Sequence, residues 1–159
     1  MMLYRRVVLT AVSAVACLSA AAVYAFSSGT DDTVAVPVPD KRVAGYCHAL
    51  HGALPAKVDG LSRHDLKPRS ELTAGWGKPA IVLRCGVPRP VELKNPEADG
   101  VTVDGVGWLI EQQSGGAFRL TTTLRKAYVE VTLPKKWAGD LGPLTDLAAA
   151  VKSTVPEGV

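Results

Sequence analysis

The sequence predicts an α+β domain, with helices packed on one face of a four-stranded, mainly antiparallel sheet. Three observations predict it. An apolar stripe at helical spacing begins the globular part, alternating β-type segments with short turns fill its middle, and a second helical stripe closes it. An uncharged N-terminal segment and two well-placed cysteines complete the expectation: a transmembrane or signal segment, then helix, sheet and helix, held by one disulfide.

Residues 1–26 differ in kind from the rest. Arg5 and Arg6 precede 20 uncharged residues, Val7 to Phe26, the length of a helix crossing roughly 30 Å of hydrocarbon. The segment is rich in Ala and Ser, so two readings stand. One is a signal anchor, the membrane partner being residues 7–26. The other is a signal peptide cleaved near Ala25, where "VYA" offers small residues. Acylation of Cys17 is a third and weaker reading, since the residues after it stay apolar. The arginines before the segment and Asp31-Asp32 after it place the N-terminus in the cytoplasm. All three readings export the remainder. The expected localisation is the cell membrane, single-pass with an extracytoplasmic C-terminal domain, or secretion after cleavage.

Residues 27–39, "SSGTDDTVAVPVP", lack helical periodicity and read as an extended linker holding the domain off the membrane. The domain is expected over residues 40–155. Asp40 suits an N-cap, and Val43, Cys47, Leu50 and Leu54 recur as a helical stripe that Pro55 ends. Residues 55–75, polar and broken by Gly60 and Pro68, read as a long loop with at most one helical turn.

The stretch "WGKPAIVLRCGVP", residues 76–88, supplies the first strand. Alternation puts Ile81, Leu83, Cys85 and Val87 on one face, Val82 and Arg84 on the other. Asp104-Gly105 signals a turn before a second strand with Trp108 and Ile110. Ser114-Gly115-Gly116 marks the next turn. "AFRLTTTL" and "AYVEVTL" are the third and fourth strands, and short connections make the set antiparallel. Pro143 at a first-turn position, with Leu144, Leu147, Ala148 and Val151, predicts the C-terminal helix.

Charge and cysteine usage narrow the function classes. Residues 1–26 hold two of the 18 basic residues and none of the 15 acidic ones, so the exported part is nearly neutral. No nucleic-acid partner is expected, because that needs a clustered basic excess. Cys47 and Cys85 are the only cysteines in the exported part, and outside the cytosol such a pair favours a disulfide. Closing a loop of 38 positions stabilises a fold by about 4 kcal/mol on the chain-entropy estimate.

Catalytic signals are weak. His48 and His51 lie one turn apart, and Asp59 or Asp65 could join them around zinc, yet no strong third ligand is evident. A Cys85 nucleophile activated by Arg84 is opposed by alternation, which sends the two side chains to opposite faces. No G-x-S-x-G elbow is present, and Gly105-x-Gly107 lacks the rest of a dinucleotide fingerprint. No catalytic residue, metal or cofactor is assigned. The candidate binding surface is the second sheet face, expected to be half-solvated, with Arg84, Arg119 and Glu130 turned outward, Arg125 beside them, and Trp76 and Trp108 as possible aromatic anchors.

Several of these residues also carry a resemblance. Trp76-Gly77, Pro79, the run Ile81-Val82-Leu83-Arg84-Cys85-Gly86-Val87, then Gly105-Val106, Trp108 and Tyr128-Val129-Glu130-Val131 are similar to the pattern of an exported actinobacterial family. It is known only as domain of unknown function number 3515. Cys47, Leu54-Pro55, Thr122 before Arg125, and Leu147-Ala148 agree with it across residues 40–155. The resemblance implies an N-terminal membrane anchor and two cysteines, and it brings no activity. The expectation is therefore an uncharacterised cell-envelope protein whose tethered domain acts as a binding or accessory module toward an envelope protein or polar envelope ligand. The alternative is an extracytoplasmic enzyme acting on an envelope substrate.

Overall fold

The computed structural model describes residues 32–158, so the uncharged segment 7–26 lies outside the described residues. Among the described residues no helix is long and apolar enough to cross a membrane. Asp40 caps the first helix, α1 (Lys41–Ala53), accepting from the Arg42 and Val43 amides at 2.9 Å each. Eight strands follow: β1 (Lys57–Val58), β2 (Leu61–His64), β3 (Thr73–Trp76), β4 (Ile81–Val87), β5 (Gly100–Val103), β6 (Val106–Gln112), β7 (Phe118–Thr122) and β8 (Tyr128–Leu133). Helix α2 (Gly142–Thr154) closes the domain with Pro143 in its first turn.

The expected four-stranded sheet is corrected: the sheet has eight antiparallel strands in the order β1-β2-β3-β4-β8-β7-β6-β5. It consists of two four-stranded meanders, β1–β4 and β5–β8, joined where β4 pairs with β8. The four expected strands are β4, β8, β7 and β6, the contiguous centre. Three of the added strands come from the supposed loop 55–75. Asp59 and Gly60 take positive φ, 49° and 73°, and so turn β1 into β2 much as Asp104 and Gly105 turn β5 into β6.

One face of the sheet carries the core. Trp76, Ile81, Leu83, Cys85, Trp108, Leu120, Val129, Val131 and Leu133 meet Cys47 and Leu50 of α1 and Leu144, Leu147 and Val151 of α2. Cys47 and Cys85 are joined, with Cα atoms 5.5 Å apart, so the staple pins α1 to β4 inside this core.

The other face is covered only in part: Arg84, Glu111, Arg119 and Thr132 keep intermediate exposure. Thr73, Leu109, Thr121 and Glu130 are all buried on it. Residues 32–39 lie along it instead of standing off as a free spacer. The Val34 amide donates to the Lys67 carbonyl (2.9 Å), and the Lys67 amide to the Asp32 carbonyl (2.7 Å). Farther along, Pro39 sits over Gly86, where β4 bulges against β8. Gly86 has φ 87°, and a Cβ there would come within 2.7 Å of Pro39, so glycine is required for both conformation and space. We call residues 32–39 the strap.

Candidate functional surface

The partly covered face is organised around an ion pair. Arg84 on β4 and Glu130 on β8 are cross-strand partners, and Arg84 Nε donates to Glu130 Oε1 at 2.9 Å. Their side chains are 26% and 10% exposed. Arg84 Nη1 donates onward to the Ala35 carbonyl of the strap at 3.1 Å. The arginine is thus a strut between sheet and strap. Across the sheet Arg119 forms a two-pronged bond to Glu111, Nε to Oε2 at 3.1 Å and Nη2 to Oε1 at 2.8 Å, which raises the arginine's pKa further.

The remaining candidate residues lie elsewhere. Trp76 and Trp108 are buried on the core face, Trp76 donating its indole N–H to the Pro55 carbonyl at 3.2 Å. Neither shares a surface with Arg84. Arg125 is buried at the sheet's end, where its Nη1 donates to the Val155 carbonyl after α2 at 2.7 Å. Arg84 and Glu130 are therefore brought together, with Arg119 two strands from Arg84, while the two tryptophans and Arg125 stand apart.

The histidines gather near the C-terminal end of α1. His48 Nδ1 lies 2.6 Å from Glu71 Oε2, and His64 Nε2 lies 3.4 Å from Asp32 Oδ2 of the strap. His51, Arg63, His64 and Asp65 line one open depression of about 560 Å³. Burial, followed by the Arg63 guanidinium, holds the His51 imidazole below its ordinary pKa, against the opposing pull of Glu71 and Asp65. Arg63 itself donates to the carbonyls of His51 and Leu54, closing the end of the helix. Among the described residues no group of three or more His, Cys, Asp or Glu side chains is placed to hold a metal ion.

A further surface lies at the β5 edge, which the sequence reading passed over. Two shallow depressions, about 350 and about 490 Å³, meet there and share Thr102, Gly107 and Thr123. Gly100 and Gly107 present no side chains on this face, and Leu93 and Leu109 line one end. The available signal was "GVTV" directly before Asp104-Gly105, which is the first arm of a hairpin.

A family profile described as "Protein of unknown function (DUF3515)" matches residues 7–159. The chain belongs to the DUF3515 family. The match extends through the whole sheet and both helices. No curated protein and no solved structure matches the DUF3515 chain.

Proposed function

We propose that this DUF3515 chain is a cell-envelope protein whose extracytoplasmic domain, tethered through residues 7–26, works as a binding or accessory module. The observation that supports it most is the Cys47–Cys85 disulfide in the centre of the core. Structural disulfides form and persist in oxidising compartments and are rare in the cytosol. The uncharged segment ahead of the domain then supplies both export and attachment. The strap supports the same reading. It bonds residues 32–34 to the chain around His64 and Lys67, so a tether ahead of Asp32 would join the domain beside the end of β2.

The experiment is a membrane float of native cells followed by protease shaving of intact spheroplasts. The domain is expected in the membrane fraction and degraded from outside. A protected, soluble domain overturns the tether and the export together. Affinity capture of the detergent-extracted full chain then tests the module reading.

The depression at the end of α1 favours one second reading, an extracytoplasmic enzyme acting on an envelope substrate, with His51 as proton carrier beside Asp65 and Arg63. His51→Ala in the native host separates the two. A phenotype matching full deletion, with normal protein level, supports the enzyme; a wild-type phenotype removes it.

A further inference from the structure

The two edges of the sheet differ. β1 is two residues long, and its turn is closed by α2, the Asp59 amide donating to Asp146 Oδ2 at 2.7 Å. β5 is open. Its register with β6, together with the Ile110 amide bonded to the Asp99 carbonyl, makes Val101 and Val103 the residues bonded to β6. The N–H and C=O groups of Gly100 and Thr102 therefore point away from the sheet. Both residues are exposed, and β5 holds no charge, proline or bulge, the usual devices that blunt an edge.

We propose, building on the module reading, that the β5 edge receives an extended, lysine- or arginine-bearing segment of another polypeptide as a ninth strand. Backbone bonds to Gly100 and Thr102 would hold it, and its alternate side chains would enter the depression floored by Gly100, Gly107 and Leu109. Charge selects the partner. Between Val91 and Gly105 the chain carries Glu92, Glu97, Asp99 and Asp104 against one lysine, Lys94. Asp99 and Asp104 bracket β5 itself. A second copy pairing antiparallel would bring each aspartate toward the other's counterpart, a like-charge contact that opposes self-association. A basic segment meets the same carboxylates favourably.

On the tethered reading, position excludes the chain's own leader as occupant. The strap begins beside β2, six strand spacings from β5, or about 29 Å across the sheet. The residues between Phe26 and Asp32 reach at most about 20 Å when fully extended. With residues 7–26 in the membrane, β5 is the edge farthest from the tether and open to a partner.

The test uses the full chain in detergent micelles and the peptide Lys-Thr-Val-Thr-Val-Thr-Lys, read by residue-resolved amide hydrogen exchange. Exchange at Gly100 and Thr102 is expected to slow at least tenfold at saturation. A glutamate-flanked peptide is expected to bind about fivefold or more weakly at low salt, a gap that closes at high salt. Thr102→Pro removes only an outward N–H and is expected to abolish binding without changing the melting temperature; Thr102→Ser is expected to retain it. Asp99→Lys with Asp104→Lys reverses the peptide preference. No protection at these two amides, or equal binding of both peptides, overturns the proposal. Protection without peptide that grows with protein concentration assigns the edge to a second copy and overturns it too. A partner captured from envelopes equally by wild type and Thr102→Pro leaves the module reading standing and removes this edge.

Discussion

Arg84 has the clearest single-residue consequence, because it serves two elements at once. Arg84→Ala leaves the Glu130 carboxylate, 10% exposed, without its cation and releases the Ala35 carbonyl. Removing one partner of a mostly buried pair costs about 3 kcal/mol, so chemical denaturation should show a loss of that order. Arg84→Met with Glu130→Gln should recover most of it, since no charge is then left buried. Cys47 and Cys85 act through the unfolded chain. Cys85→Ser, or reduction, should lower stability by about 4 kcal/mol and the melting temperature by on the order of 10 °C, measured by calorimetry. At His51 the sign follows from its lowered pKa. The unfolded imidazole takes up its proton near 6.5 while the folded one resists, so the unfolded state binds more protons as pH falls through that value. Stability should therefore decline as pH drops below about 6.5, and His51→Asn should flatten that part of the Tm–pH curve. An unchanged curve would contradict the assigned surroundings of His51.

Among the elements the strap is the one whose role differs most from its sequence appearance. Its contacts include two backbone hydrogen bonds and the Arg84 bond, each worth about 1 kcal/mol net, so deleting residues 32–39 should cost about 3 kcal/mol. Hydrogen exchange should then rise in β3 and β4, while β6 and β7 stay protected. "TVAVPVP" read as a linker because its partners, Lys67, Arg84 and Gly86, are remote in sequence. The central strands were legible for the opposite reason. β4, β6, β7 and β8 are five to seven residues long and carry alternation or a full apolar run. β1 and β2 were missed because an exposed sheet margin needs few apolar residues. β3, "TAGW", was missed because all four of its residues are buried, which removes the period-two signal. Alternation separates Arg84 from Cys85, and the strap that meets Arg84 at the Ala35 carbonyl is irregular chain that no periodicity announces. Trp76 and Trp108 follow the alternation of their strands onto the core face. The β5 edge went unread because a four-residue strand without aromatic or charged side chains carries little pattern.

At the scale of the whole molecule, two meanders fused at β4–β8 place the start of the strap and the open strand toward opposite ends of one sheet. The staple, the strut and the strap stiffen the β1–β4 half, and β5 at the far edge turns the backbone groups of Gly100 and Thr102 outward. On the proposed reading, a domain attached near one edge and adhesive at the other would hold a partner at a set height above a membrane. That account depends first on the compartment. It is tested most directly by trapping thiols in intact native cells with an alkylating agent during acid quench, then digesting without reduction. The account predicts peptides containing Cys47 and Cys85 joined to each other and unalkylated in the membrane fraction. Recovery of both cysteines alkylated would contradict it.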